Sequence, residues 1–138
     1  MTLSSEIRTG RHCTFLLHVH LVFVTKYRRA VFTDRVLKDL SECFSGVCES
    51  FEAELIECNG EHDHIHLLVH YPPKVSISKL VNSLKGASSR VIRKCGYPEI
   101  KKNLWGGSLW SPSYFAGSCG GAPLAKIQEY IKSQERPN

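Results

Sequence analysis

Alternating apolar and polar positions predict four β-strands along this chain of 138 residues. The first covers residues 13–25 (CTFLLHVHLVFVT), which are rich in β-branched and aromatic side chains. The next two are residues 52–58 and a histidine-rich strand within residues 60–71, joined by a hairpin turn at Asn59-Gly60. Residues 113–118 (SYFAGS) form the predicted last strand.

Apolar residues at helical spacing predict three helices between and after these strands. The second helix covers residues 78–94, and the third covers about residues 123–135, with Pro123 in its first turn. Residues 97–112 lack this spacing and are predicted to be a loop. The first helix is capped by Thr33 or Asp34 and carries its apolar side chains at Val36, Leu37, Leu40, Phe44 and Val47.

The predicted order of elements is β-α-β-β-α-β followed by one more helix. This order is typical of a ferredoxin-like split βαβ fold, an α+β architecture in which an antiparallel sheet carries helices on one face. The length suits a single domain over residues 1–138.

Basic residues cluster in two segments of a chain whose formal net charge is +5. One segment is KYRR at residues 26–29, and the other is residues 79–102, where Glu99 is the single acid. Clustered positive charge is typical of a protein that binds nucleic acid. A solvated basic face is the alternative explanation.

The six cysteines include no CxxC pair, and the chain opens without a signal-peptide pattern. The longest apolar run, residues 15–24, is too short to span a membrane and is interrupted by two histidines. We therefore expect a cytoplasmic protein with free thiols and no membrane partner.

His62, His64, His66 and His70 share parity, so in a β-strand their side chains point to the same face. His64 and His66, two residues apart, can converge on one metal ion, although a third ligand must come from elsewhere. A merely polar strand face is the alternative. In the last helix Tyr130 and Gln134 lie one turn apart, beside an apolar stripe formed by Leu124, Ile127 and Ile131.

Four motifs, HDHIHLLV, LKGASSRVIRK, GGAPL and QEYIKSQ, resemble in order and spacing those of the single-tyrosine HUH transposases of the insertion-sequence 200/605 family. That superfamily includes the REP-associated tyrosine transposases. The likeness extends from HLVFVTKYRR, near residue 20, to Gln134. Ser133 departs from it, because asparagine is common at this position of the family.

The resemblance implies a homodimeric enzyme that nicks and rejoins single-stranded DNA at the hairpin-bearing ends of a mobile element. Tyr130 matches the family's nucleophile, which forms a 5′-phosphotyrosine, on a C-terminal catalytic helix that commonly completes the partner's active site. His64, His66 and Gln134 match the ligands of Mg²⁺ or Mn²⁺. No nucleotide cofactor is expected, because the covalent bond conserves the energy for rejoining and no GxxxxGK[ST] motif occurs.

Further residues receive weaker assignments. Gly117, Gly120 and Gly121 form either a hinge at about residues 117–122 or a tight turn. His62 is expected in a loop, and His70 at the end of its strand near DNA or solvent. Trp105, Trp110 and Phe115 either stack on bases or belong to the core. The candidate contacts to DNA phosphates are Lys26, Arg28, Arg29, Lys85, Arg90 and Arg93.

Two other classes of function remain open at this point. One is a domesticated relative acting on repetitive palindromic sequences, or a replication-initiator-like nickase. The other is a non-catalytic ferredoxin-like module that binds nucleic acid. Such a module would need aromatic residues on its central strands, where this sequence has histidines.

Overall fold

The computed structural model describes residues 7–104, 108–118 and 124–134. Six strands and four α-helices follow one another in this part of the chain, with a short 3₁₀ helix at Lys26–Arg28. The strands are β1 (Arg8–Thr9), β2 (Thr14–Phe15), β3 (His18–Val24), β4 (Glu54–Gly60), β5 (His64–His70) and β6 (Phe115–Ser118). The helices are α1 (Asp34–Ser50), α2 (Ile77–Cys95), α3 (Pro98–Leu104) and α4 (Leu124–Ser133).

A four-stranded antiparallel sheet with the order β4-β5-β3-β6 forms the centre of the fold. Strands β1 and β2 pair separately as a small antiparallel ribbon. The α+β class and the ferredoxin-like arrangement predicted from the order of elements are confirmed.

The main core lies between one face of the sheet and helices α1 and α2. Leu21 and Phe23 of β3, and Leu67 of β5, share one buried cluster with Leu40 and Phe44 of α1 and with apolar residues of α2. The aromatic rings of Phe23 and Phe44 meet edge to face, with 5.9 Å between their centroids. Because side chains alternate along a strand, the even-numbered residues of β3 and β5 face the other side.

Helix boundaries follow local capping chemistry. The Thr33 hydroxyl accepts a hydrogen bond from the Val36 N–H at 3.3 Å, so Thr33 rather than Asp34 is the N-cap of α1. Ser76 accepts one from the Lys79 N–H at 3.4 Å at the start of α2. Helix α2 ends at Gly96, whose φ of 71° is in the left-handed region that glycine adopts without strain.

Three predictions about local structure are wrong. Residues 97–112 are not all loop, because Pro98–Leu104 forms α3, anchored by the buried Ile100. Asn59 and Gly60 are not the hairpin turn but belong to β4, and the turn lies at residues 61–63. The predicted first strand is divided, because residues 16 and 17 separate β2 from β3.

Gly60 is required by close packing rather than by a turn. A Cβ at this position would lie 2.8 Å from the His64 carbonyl oxygen and 2.8 Å from the Leu37 Cδ2. Both distances are shorter than real Cβ contacts, so the start of β5 and helix α1 approach this strand only because residue 60 has no side chain.

Candidate active site

Two histidines of β5 and the last helix share the sheet face opposite to α1 and α2. His64 pairs with Val24 across the β3–β5 ladder, and His66 pairs with Val22. Ile131 of α4 packs on these two valines. Helix α4 therefore covers β3 directly beside the histidines.

A buried carboxylate orients His64. The Nδ1 atom of His64 lies 2.8 Å from Oδ1 of Asp63, whose side chain is only about 3% exposed. Although burial alone would raise the pKa of Asp63, the hydrogen bond from His64 and the electrostatic interactions with His62, His64 and Arg28 lower it below its ordinary value. Asp63 is thus an ionised acceptor for the Nδ1–H of His64. The remaining nitrogen, Nε2, is left with its lone pair, which is the arrangement found in metal-binding histidines.

His66 is held in its neutral form. Burial, with smaller contributions from the neighbouring His64 and His20, lowers the pKa of His66 to about 4. Its Nδ1 lies 3.4 Å from Nε2 of His20, so one of these nitrogens donates to the other. The rings of His64 and His66 are 4.9 Å apart between centroids at an angle of 82°. Two neutral imidazoles this close suit a divalent cation as nitrogen ligands.

Gln134 reaches the same region through a chain of hydrogen bonds. The Ser111 N–H donates to the Val24 carbonyl at 2.8 Å, and the Ser111 hydroxyl donates to Gln134 Oε1 at 2.9 Å. Val24 is the residue paired with His64. No group of three or more His, Cys, Asp or Glu side chains within the described ranges is arranged to hold a metal ion. The amide oxygen of Gln134 is a possible metal ligand of another type.

Tyr130 lies one helical turn before Gln134. Its hydroxyl donates to the Ser113 hydroxyl at 3.1 Å, and its ring packs on Phe115 with 5.8 Å between centroids. Burial raises the pKa of Tyr130, an effect that the hydrogen bond to Ser113 opposes. The phenol is therefore protonated at neutral pH in this arrangement.

The sequence profile described as "Transposase IS200 like" matches residues 13–134. The chain belongs to this family. It is 36% identical over 129 residues to the ISDra2 transposase TnpA of Deinococcus radiodurans, covering 94% of this chain and 91% of that protein. It is 32% identical over 123 residues to the transposase for insertion sequence element IS200 of Salmonella typhimurium, covering 89% and 80%.

Two solved structures resemble the transposase. A 1.90 Å crystal structure of a Deinococcus radiodurans R1 protein assigned as a transposase superposes with a TM-score of 0.85 at 34% identity, covering 94% of this chain and 99% of that chain. A REP-associated tyrosine transposase bound to a REP hairpin superposes with a TM-score of 0.56 at 11% identity, covering 89% and 68%. The second likeness concerns the fold alone.

The predicted DNA contacts of the transposase fall in three places. Lys26, Arg28 and Arg29 belong to the basic turn beside the site, where Arg28 Nε lies 3.3 Å from Asp63 Oδ2. Arg90 and Arg93 are exposed on α2, which packs on the opposite face of the sheet. Their contacts with DNA stay predictions.

Lys85, the remaining predicted DNA contact, directs its ammonium group into the protein. Its Nζ donates to the carbonyls of Ser111 and Ser113 at 2.8 and 2.7 Å. Burial lowers the pKa of Lys85 to about 8. The sequence predicted a phosphate contact here, and the structure shows a contact with the loop that Tyr130 and Gln134 contact.

The basic turn has an unusual backbone. Tyr27 and Arg28 adopt φ angles of 60° and 54°, which non-glycine residues rarely adopt and which concentrate at functional sites. The Tyr27 ring lies between two cations, with Lys26 Nζ at 5.5 Å and Arg29 Cζ at 5.6 Å from its centroid. Lys26 and Arg29 therefore approach one aromatic ring, while Arg28 pairs with Asp63.

The structure corrects the expectation for His70. Its side chain is fully buried, stacked on His18 with 4.6 Å between centroids and covered at its edge by Phe15. It does not face DNA or solvent, because Phe15 of the β1–β2 ribbon covers this end of the sheet. His62 lies in the turn as expected, with its side chain 61% exposed.

The structure describes some of the predicted hinge glycines and some of the aromatic candidates. Gly117 lies inside β6, paired with His20, whereas Gly120 and Gly121 lie outside the described residues. Trp110 is a core residue that donates to the Ser88 hydroxyl at 2.9 Å, and Trp105 lies outside the described residues.

Within the described ranges, no helix is long and apolar enough to cross a membrane.

Four functional side chains were missed by sequence reasoning. Asp63 could have been suspected from its place directly before the HIH motif, and His20 from its parity with His18 in the HVH of β3. Ser111 and Ser113 carry no signal in the sequence, because their role depends on where α4 packs.

Proposed function

We propose that this transposase cleaves and rejoins single-stranded DNA through a covalent 5′-phosphotyrosine at Tyr130. The observation that carries this proposal is the shared location of four side chains. His64 and His66 of β5, Tyr130 of α4 and Gln134 directly after α4 belong to one face of the sheet.

We propose that His64, His66 and Gln134 hold Mg²⁺ or Mn²⁺. The two imidazoles fit this role, since Asp63 fixes the proton of His64 on Nδ1 and His66 stays neutral. Gln134 Oε1 accepts one hydrogen bond from Ser111 and keeps a second lone pair. A divalent cation bound here would polarise the scissile phosphate and stabilise the departing 3′-oxygen.

The covalent step exchanges one phosphate ester for another. The Tyr130 oxygen attacks phosphorus, the bond from phosphorus to the 3′-oxygen breaks, and the DNA 5′-phosphate becomes esterified to the tyrosine. The phenolic proton leaves for solvent, and the 3′-oxygen is protonated to a free hydroxyl. In the reverse sense a 3′-hydroxyl attacks the phosphotyrosine and releases Tyr130. No nucleotide cofactor is needed, because the ester retains the energy of the broken bond.

We infer that the DNA partner is a single-stranded hairpin at the end of a mobile element. The net charge of +5 favours binding of a phosphate backbone. The basic turn at Lys26–Arg28, where Arg28 contacts Asp63 beside the site, supports a path of this backbone next to the histidines. A REP-associated tyrosine transposase of similar fold is bound to a REP hairpin. We further propose a homodimer whose subunits share their active sites, with α4 of one subunit making on the partner the contacts that it makes here within one chain.

The test uses labelled single-stranded DNA that carries the element ends, incubated with Mn²⁺ or Mg²⁺ and run on a denaturing protein gel. We expect a protein–DNA adduct that requires metal, disappears in Tyr130→Phe and persists in Tyr71→Phe, which removes a tyrosine hydroxyl outside the site. DNA binding without an adduct under either metal would instead support a binding module without catalysis.

A further inference from the structure

Tyr130 of α4 and Gln134, the residue directly after α4, both contact one short loop. Ser111, Pro112 and Ser113 form this segment, which we call the SPS loop, between Trp110 and β6. The Ser111 hydroxyl donates to Gln134 Oε1 at 2.9 Å, and the Ser113 hydroxyl accepts from the Tyr130 hydroxyl at 3.1 Å. The spacing of the two serines thus matches one turn of α4.

The SPS loop is itself fixed to the sheet. The Ser111 N–H donates to the Val24 carbonyl at 2.8 Å, and Trp110 forms an isolated antiparallel bridge with Thr25. The Trp110 side chain is buried, and its Nε1–H donates to the Ser88 hydroxyl of α2 at 2.9 Å. The position of the loop is therefore set by the main core.

Lys85 of α2 stabilises the SPS loop through hydrogen bonds to its backbone. Its ammonium donates to the carbonyl oxygens of Ser111 and Ser113 at 2.8 and 2.7 Å, and it lies 5.5 Å from the ring centroids of both Phe23 and Tyr114. Withdrawing an ammonium group from water is costly, and these contacts offset that cost. A single cation thus holds together the two backbone carbonyls of the serines that contact α4.

Apolar contacts place α4 against the sheet. In the part of the chain that the structure describes, the cluster beneath this helix consists of Val22, Val24 and Ile131, with Phe115 and Tyr130 at its edge. Two directional hydrogen bonds constrain the rotation of the helix in a way that non-directional apolar contact does not.

We propose that the SPS loop, held by Lys85, is a docking seat that sets the rotation and height of α4 on the histidine face. Lys85, Ser111 and Ser113 then act as positioning residues for Tyr130 and Gln134. The link to catalysis rests on the proposed function, whereas the docking itself does not.

Hydrogen exchange measured by mass spectrometry tests the docking without any activity assay. The readout is the exchange rate of the peptide covering residues 124–134, with the α1 peptide (residues 34–50) as internal reference. We expect exchange of the α4 peptide to rise about fivefold for each hydrogen bond removed, in Lys85→Met and in the double variant Ser111→Ala/Ser113→Ala. Lys79→Met, which removes an exposed lysine from the same helix as Lys85, is the matched control and should leave this rate unchanged.

The outcomes separate the docking seat from general loss of stability. If Lys85→Met also accelerates exchange in α1, the double serine variant decides, because both serines lie outside the main core. Wild-type exchange of the α4 peptide in the double serine variant would overturn the proposal.

Cleavage kinetics then connect the docking seat with the reaction. We expect adduct formation to slow about fivefold in Ser113→Ala and to return towards the wild-type rate in Ser113→Thr, which restores the hydroxyl. If wild type forms no adduct, the proposed function fails while the exchange result stands. If wild type reacts and Ser113→Ala reacts equally fast, the positioning role fails while the proposed function stands.

Discussion

Replacement of Asp63 by asparagine alters the hydrogen bonding of His64 without changing the size of the side chain. In the wild type, Oδ1 accepts from His64 Nδ1 at 2.8 Å and Oδ2 accepts from Arg28 Nε at 3.3 Å. An asparagine has only one oxygen, so its NH₂ group must face either Arg28 or the Nδ1–H of His64. In the second case His64 has to move its proton to Nε2, the nitrogen proposed to bind metal.

The expected loss of metal affinity follows from the burial of Asp63. Asp63 is only 2% exposed, so water does not readily replace the lost acceptor. Loss of a partner that orients a metal-binding histidine typically weakens metal affinity by about 10- to 100-fold. We therefore expect the dissociation constant of Asp63→Asn for Mn²⁺ to rise by about this factor, measured from the EPR signal of free Mn²⁺.

Two further variants make the comparison decisive. His62→Gln removes an exposed partner 3.8 Å from the same carboxylate, and it should change the dissociation constant by less than about threefold. Arg28→Met leaves the bond to His64 intact and should have an intermediate effect. If Asp63→Asn remains folded by thermal unfolding and binds Mn²⁺ as tightly as wild type, the orientation of His64 by Asp63 has no role in metal binding.

Three other predictions concern the core, pH and the dimer. Phe44→Ala should lower the free energy of unfolding by about 3–5 kcal/mol in urea, since the ring is fully buried against Phe23, and a loss below about 1 kcal/mol would contradict this packing. Burial raises the pKa of Cys48 from 9.0 to about 12, so the folded state keeps a proton that the unfolded state loses. Stability should therefore decline as pH rises above 9.0, and a urea titration of Cys48→Ala should show a smaller decline. Mixing Tyr130→Phe with His64→Ala subunits should restore the adduct if the subunits share active sites, whereas continued inactivity of the mixture would favour a site built within one chain.

The arrangement of the histidines could be predicted from the sequence because a strand has a period of two. His64 and His66 had to share a face once the segment was recognised as a strand, and the Thr33 cap depended on chemistry within one turn. Tyr130 and Gln134 followed equally from helical periodicity. These features rest on interactions between residues that are close in sequence.

The remaining features depend on contacts distant in sequence. His70 was assigned to the correct face, but its burial depends on Phe15 of the β1–β2 ribbon, which local periodicity does not reveal. Helix α3 is short and weakly patterned, and it is stabilised by burial of Tyr97 and Ile100. The direction of the Lys85 ammonium depends on a loop 26 residues away in sequence. A helical wheel gives no information about such partners.

The separation of the main core from the histidine face has an evolutionary consequence. The residues that hold the sheet to α1 and α2 lie on one side, while the histidines, Tyr130 and Gln134 lie on the other. Substitutions that abolish catalysis therefore leave the larger buried cluster intact. Copies of such a gene that decay by mutation would yield folded, basic proteins that have lost their chemistry, and a host genome could retain these proteins for other tasks on DNA.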